Sequence, residues 1–282
     1  MRVLIVDGYP ADARERHRAG FGMTPGEAYA AVVKAIAPAA ACDIVLPADA
    51  DAQLPAGAEL SSYHAVILTG SPLHVYHDEP SVRRQVELMR AVYDSGVPSF
   101  GSCWGLQVAA VAAGGTVTPT PLGREVGFAR RITPSEAGRG HALLAGRPAA
   151  FDAPCVHLDV VASLPAEAVV LASNRMTGVQ AAEIRHRRGV FWGVQYHPEF
   201  SLTELAAIMD RMADALAEEG FFRDPSEVAG YVADLRTLDA DRSRRDIAWR
   251  HGLDEQVLDE RQRTLEIRNF LARCLAGDAM RQ

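Results

Sequence analysis

The sequence predicts an α/β fold: a doubly wound, mostly parallel sheet with helices on both faces, followed by a helical C-terminal extension. Three observations lead there. Short, continuous apolar runs recur, such as Val3-Leu4-Ile5-Val6 and Val190-Phe191-Trp192. Strands covered on both faces read that way, because neither face meets water. These runs alternate with longer stretches of helical apolar spacing, the order that parallel strands joined by crossover helices produce. The residue types suited to chemistry fall just past strand ends, where open α/β sheets place their ligand sites.

Taken in order, the expected strands are 2–7, 43–47, 64–69, 97–101, 156–161, 168–172, 178–184 and 190–195, each an apolar run bounded by polar, Gly or Pro residues. Helical spacing marks 26–38, 80–95 and 104–113. The stretch Asp7-Gly8-Tyr9-Pro10, with the polar residues after it, lies at the rim of the site, where an ordinary strand-to-helix connection is preferred to contacts with an acceptor or partner. Residues 115–155 read as irregular, with short β segments such as 125–132. In His74-Val75-Tyr76-His77-Asp78-Glu79 a surface loop, with Asp78 or Ser81 near the start of the next helix, is preferred to a metal site, since no further ligands stand at suitable spacing. Residues 202–219 complete the core as an amphipathic helix. Gly220 and Asp224-Pro225 then mark a break, so the expected division is a core of 1–219 and an extension of 220–282. In the extension 226–238 and 254–276 show helical spacing around the charge-rich segment 239–250. It is expected to pack on the core or to join copies in a homo-oligomer.

Composition narrows the function. Hydrophobic residues make up 48% of the 282, net charge is −7, and nothing points to nucleic acid or an anionic membrane as partner. No apolar run reaches about 18 residues, and the first strand begins at once, so neither a membrane span nor a signal peptide is expected. The 4 cysteines lack disulfide or metal spacing, which suits a reducing cytoplasm. Lys34 is the single lysine and no glycine loop precedes it, so a phosphate-binding loop of the Walker type is absent. No cofactor and no metal are expected.

Cys103 is the most informative residue. It stands in Gly101-Ser102-Cys103-Trp104-Gly105, after a strand and directly before a helical segment. This is the cysteine form of a nucleophile elbow, with small residues beside a tight, strained apex. A helix N-terminus aimed at the sulfur favours thiolate over thiol. Downstream, Tyr196-His197-Pro198-Glu199 supplies a base and a carboxylate to orient it. Pro198 disfavours helix at His197, so both side chains can reach one site.

Together these motifs resemble the class I, triad-type glutamine amidotransferases, most of all the glutaminase domain of GMP synthase. That family carries G-x-C-x-G-x-Q, here Gly101 to Gln107, and a later H-P-E, here His197 to Glu199. Its L-S-G-G-P appears as Leu68-Thr69-Gly70-Ser71-Pro72, its R-E-F-G as Arg124-Glu125-Val126-Gly127, and its H-x-D as His157-Leu158-Asp159. The matches run in order over roughly residues 3–210.

The resemblance implies that Cys103 attacks the side-chain amide of L-glutamine, His197 protonates the leaving ammonia and then activates water, and Glu199 orients His197. The γ-glutamyl thioester would be hydrolysed to glutamate. Backbone N–H groups of Trp104 and the Gly70-Ser71 turn would hold the oxyanion, each donor worth about 3–4 kcal/mol of barrier. Gln107, Gly127 and His157 would contact substrate. Ser71 replaces a glycine of the family, which leaves open whether the oxyanion hole is permanently formed. With no ATP-binding signature, the expected roles are a glutaminase passing ammonia to a separate synthetase, or a stand-alone γ-glutamyl hydrolase or peptidase. A silent scaffolding protein is the reading from another class; a Cys103→Ala variant that kept the biological role would favour it.

Overall fold

The computed structural model describes residues 1–279, and the side chains of residues 1–276. The chain opens with alternating strands and helices: β1 (Arg2–Val6), α1 (Ala11–Phe21), α2 (Pro25–Ile36), β2 (Ala41–Val45), β3 (Ala65–Leu68), α3 (Pro80–Ser95), β4 (Ser99–Ser102) and α4 (Trp104–Ala112). A strand-rich stretch follows, with β5 (Thr116–Pro119), β6 (Glu125–Pro134), the short α5 (Glu136–Arg139), β7 (Phe151–His157), β8 (Asp159–Ser163), β9 (Ala168–Ser173), β10 (Ala181–His186) and β11 (Gly189–Val194). The rest is helical: α6 (Leu202–Arg211), α7 (Ala213–Glu218), α8 (Pro225–Ala240), α9 (Arg245–His251), α10 (Glu255–Leu258), α11 (Glu260–Arg263) and α12 (Leu265–Ala279).

Nine strands form one sheet in the order β2-β1-β3-β4-β11-β10-β9-β6-β7, and β5 pairs with β8 in a separate ribbon. From β2 to β11 the pairing is parallel; from β11 to β7 it is antiparallel. The expected α/β architecture is therefore present, with its parallel half in the strands that carry the site. Alternation along β1 builds both faces. Val3 and Ile5 pack with Tyr29 and Val33 of α2 and with Ile267 and Phe270 of α12. Leu4 and Val6 pack with Met89 of α3 and Leu106 of α4 on the other face. The strand order reverses direction at β1, whose neighbours are β2 and β3, and such a switch point opens a crevice at the carboxyl ends.

Local sequence explains the ends of the helices. Thr24 caps α2 in a reciprocal box with Glu27, and Pro25 fills the first turn. α3 starts at Pro80 with Glu79 at its cap position and no side-chain cap. The expected cap at Asp78 or Ser81 is thus not formed, and Asp78 instead pairs with Arg83 at 2.7 Å. The segment expected as one strand, 156–161, is two. Its first part pairs with β6 and its second with β5, and the chain passes between sheets at Leu158. A continuous apolar run carries no mark of such a change of partner.

Residues beyond 219 pack on the rest in two places. Val228, Val232 and Leu235 of α8 join Leu205 and Met209 of α6 and Phe128 of β6. α12 lies under the sheet, where the Phe270 ring meets Phe100 and Trp192 at centroid distances of 5.5 and 6.3 Å. Glu266 of α12 forms an ion pair with Arg147 at 2.7 Å, both side chains fully buried.

Candidate active site

Cys103 sits between β4 and α4 with φ 51° and ψ −101°. A left-handed φ at a non-glycine residue costs on the order of 1–3 kcal/mol and persists only when the surroundings impose it. Here they do. The Cys103 N–H donates to Val194 O at 2.7 Å, which ties the apex to β11. The flanking glycines permit the turn to close: a Cβ on Gly101 would come within 2.9 Å of Gly105 Cα, and one on Gly105 within 2.9 Å of Leu68 O. The elbow read from the sequence is a strained strand-to-helix turn.

His197 follows β11, with its N–H bonded to Pro154 O at 2.8 Å. Its Nδ1 lies 2.7 Å from Glu199 Oε1, and both side chains are buried. The second carboxylate oxygen of Glu199 accepts from Ser102 Oγ at 2.8 Å, and Ser102 Oγ is 3.0 Å from the Tyr29 hydroxyl. Glu199 is thus held at both oxygens. The His197 ring stacks face to face on Phe200, with centroids 3.9 Å apart and planes 3° from parallel. Burial alone would lower the imidazole, but Glu199 and the Cys103 side chain outweigh it, and His197 is pushed up to about 10. Its charged form therefore dominates at neutral pH.

Cys103 and His197 both line a cavity of about 380 Å³. Of the other expected site residues, Ser71, Gln107 and His157 line it too. Gln107 Nε2 donates to Asp159 O at 3.1 Å, and His157 Nδ1 lies 3.2 Å from the same carbonyl. His157 Nε2 is fixed by Glu125 Oε2 at 2.8 Å, a carboxylate that Asn174 and Gln180 also reach. Gly70 lies directly against the imidazole, since a Cβ there would stand 2.7 Å from His197 Cε1. Ser71 needs no left-handed backbone: its φ is not positive, and its hydroxyl accepts from Leu73 N–H at 3.2 Å. Trp104 is buried, and its indole donates to Gln85 Oε1 at 2.7 Å, so its side chain fills the core. Gly127, at φ 82° in β6, faces the Tyr231 hydroxyl and is not among the cavity-lining residues.

Tyr9, from the loop expected at the rim, and Arg124, from the R-E-F-G motif, line the cavity; Arg16 of α1, and Ile208, Arg211 and Met212 from α6 and just beyond, also line it and were not singled out from the sequence. Helix α1 escaped because its buried positions include Arg14 and His17, which leave no apolar stripe. The His74 loop is also part of the wall. His74 Nδ1 lies 2.6 Å from Asp159 Oδ2, and the Tyr76 hydroxyl donates to Asp159 Oδ1 at 3.1 Å. Among the described residues no group of three or more His, Cys, Asp or Glu side chains is arranged to hold a metal ion. No helix is long and apolar enough to cross a membrane among those residues.

A family model described as glutamine amidotransferase class-I matches residues 29–213. The chain belongs to the class-I glutamine amidotransferase family. It is 34% identical over 289 residues to a gamma-glutamyl-L-1-hydroxyisopropylamide hydrolase from a Pseudomonas species, covering 100% of this chain and 96% of that protein. To the GMP synthase of Leifsonia xyli it is 36% identical over 160 residues, covering 57% of this chain but 29% of that protein. The chain thus spans under a third of that synthase's length. A solved glutamine amidotransferase from Thermotoga maritima has the same fold, with a TM-score of 0.66 at 16% identity over 98% of both chains. Another, from Methylobacillus flagellatus, gives 0.58 at 19% identity over 98% of this chain and 94% of that one. Within this amidotransferase-family chain, α1 and everything from α8 onward lie outside the family match.

Proposed function

We propose that this protein is a free-standing γ-glutamyl amide hydrolase that uses Cys103, His197 and Glu199 as its triad. The observation that carries the reading is the convergence at one cavity of a strained cysteine and an imidazole held by a doubly bonded carboxylate. Cys103 Sγ attacks the γ-carbonyl carbon and the oxygen takes up charge. The imidazolium of His197 gives its proton to the departing nitrogen as the C–N bond breaks, leaving a γ-glutamyl thioester and a free amine. His197, now neutral, takes a proton from water, and hydroxide displaces the thiolate to release glutamate. Glu199 keeps the ring in the tautomer and orientation both steps need.

The likeness to the Pseudomonas hydrolase, which extends over the whole chain, α1 and the C-terminal helices included, supports a γ-glutamyl compound of a small organic amine as substrate. The cavity agrees in character. Beyond His197 its wall carries the apolar side chains of Phe200, Ile208 and Met212 beside Arg16 and Arg211, a lining that ammonia as leaving group does not need. The second reading is a glutaminase supplying ammonia to a separate synthetase. The similarity to GMP synthases supports it, although that to the Leifsonia enzyme covers 57% of this chain.

The test compares kcat/KM for glutamate release from γ-glutamyl-hydroxyisopropylamide and from L-glutamine, in wild type and Cys103→Ala. Faster turnover of the amide, lost with the thiol, is the expected result. Glutamine turnover that is faster, or that appears only with a partner protein, would replace this reading with the second.

A further inference from the structure

The cavity has two chemically different sides. On one, Gln107, His157 and Asp159 are joined through the Asp159 carbonyl. On the other, His197 stacks on Phe200, and Ile208 and Arg211 of α6 continue the wall toward Arg16 of α1. The acid that protonates the leaving nitrogen must stand beside it, so the amine half of a substrate lies on the His197 side. That side is partly built by α1, outside the family match.

Arg211 is solvent-exposed at the rim and has no carboxylate partner there among the described residues. Its Nη2 lies 3.4 Å from His17 Nδ1, and its Nη1 would be 2.9 Å from a Cβ on Gly20, so the guanidinium rests across α1. Among the described residues no carboxylate is within salt-bridge distance of it. The acids nearest in sequence and space face elsewhere: Glu204 is 3.2 Å from His17 Nε2, and Asp210 is 3.4 Å from Arg236 Nη2. Burial pulls the Arg211 guanidinium below its ordinary value and the charge of Arg16 adds to the effect, while Tyr9, Glu204 and Asp210 oppose it. Arg16 itself is only loosely held, by Asp12 on the open surface of the same helix. Two guanidinium groups that repel each other at the rim of one cavity are an arrangement that a bound anion relieves.

We propose that Arg211, with Arg16, is the subsite for the amine half of the substrate, and that this half carries a carboxylate: the substrates are γ-glutamyl derivatives of amino acids. The proposal rests on the reading of Cys103 as the nucleophile toward γ-glutamyl amides. The amide C–N bond breaks as the thioester S–C bond forms, the His197 proton goes to the amine, and the amino acid leaves with its carboxylate on Arg211. Ile208 and Phe200 then face its side chain.

Three substrates that differ only in one group on the same carbon test this: γ-glutamyl-L-alanine with a carboxylate, γ-glutamyl-L-1-hydroxyisopropylamide with a hydroxymethyl, and γ-glutamyl-isopropylamide with a methyl. L-Glutamine is the reference that lacks an amine substituent. Wild type is expected to favour the alanine derivative. In Arg211→Gln the ratio of kcat/KM for the alanine derivative to that for the isopropylamide should fall about tenfold to hundredfold, the worth of a charge-assisted pair. Arg211→Lys should keep part of it. A loss of equal size on all substrates, glutamine included, would place Arg211 at the glutamyl half and overturn the proposal. So would a wild-type preference for the methyl or hydroxymethyl compound. If none of the substrates is turned over, the hydrolase reading fails. The subsite is then judged by calorimetric binding of γ-glutamyl-L-alanine to Cys103→Ala protein, where affinity indifferent to Arg211→Gln would overturn it.

Discussion

The Tyr196 hydroxyl donates to Glu266 Oε1 at 2.9 Å, joining the residue before His197 to the last helix across 70 positions of sequence. Arg147 completes the contact with 2.7 Å bonds to both oxygens of Glu266, and its guanidinium lies 4.4 Å over the Phe151 ring. The C-terminal helix is thus wired to the segment that carries the candidate base.

Removing one partner of a buried ion pair leaves the other charge without compensation, which costs about 3–5 kcal/mol. Glu266→Ala is therefore expected to lower the unfolding free energy by roughly that amount, read from the midpoint of a urea titration. A change under about 1 kcal/mol, the range of exposed pairs, would show that the site admits water.

The pH dependence has a definite sign. The His197 imidazole, pushed up to about 10 from 6.5, stays charged through neutrality, so the alkaline limb of kcat/KM should lie well above pH 7. By linkage the charged ring stabilises the fold fully below about pH 6.5, and that contribution is lost as pH rises through about 10. Glu199→Gln removes a main cause of the rise. Its limb should move to lower pH, along with a drop in rate; a limb that stays in place would assign it to another group.

Cys103 pays for its position in backbone strain, and glycine adopts φ 51° freely. Cys103→Gly should abolish glutamate release while raising stability by about 1 kcal/mol, the relief of strain less the entropy of the freer chain. Cys103→Ala keeps the strain and should gain little. Thermal melts of the two variants beside wild type decide the matter.

Gly70→Ala tests the floor of the site. With its Cβ 2.7 Å from His197 Cε1, the methyl group must push the ring off Glu199 or off Phe200. A displacement on the order of 1 Å costs about a hundredfold in rate, so kcat should fall by at least that much. KM should change far less if Gly70 acts only through the ring.

The arrangement of the candidate site was legible because its geometry is written locally. Gly101 to Gly105 closes a tight elbow, and His197-Pro198-Glu199 places two groups two residues apart in a turn, where Phe200 N–H reaches His197 O at 3.3 Å, rather than on the extended backbone that Pro198 implied. What sequence could not display is what arrives from far away. Tyr29 reaches Glu199 through Ser102 from a helix near the start of the chain, and nothing around Tyr29 marks it as more than core. Gly127 carries a motif of the resemblance, but at φ 82° it lies beside Tyr231 and not among the residues that line the cavity. The strand expected over 156–161 breaks at Leu158 because the two halves pair with partners that are themselves distant in sequence.

The packing around the glycines has a consequence for evolvability. Gly70, Gly101 and Gly105 each abut backbone or the imidazole, so the floor of the site admits almost no variation. The wall of α1 and α6 is different in kind: Arg16 and Arg211 meet the cavity through long side chains alone. On the proposed reading, libraries at the exposed Arg16 and Arg211 are expected to change amine preference and keep amide opening, whereas the neighbouring Arg14, Ile208 and Met209 are buried.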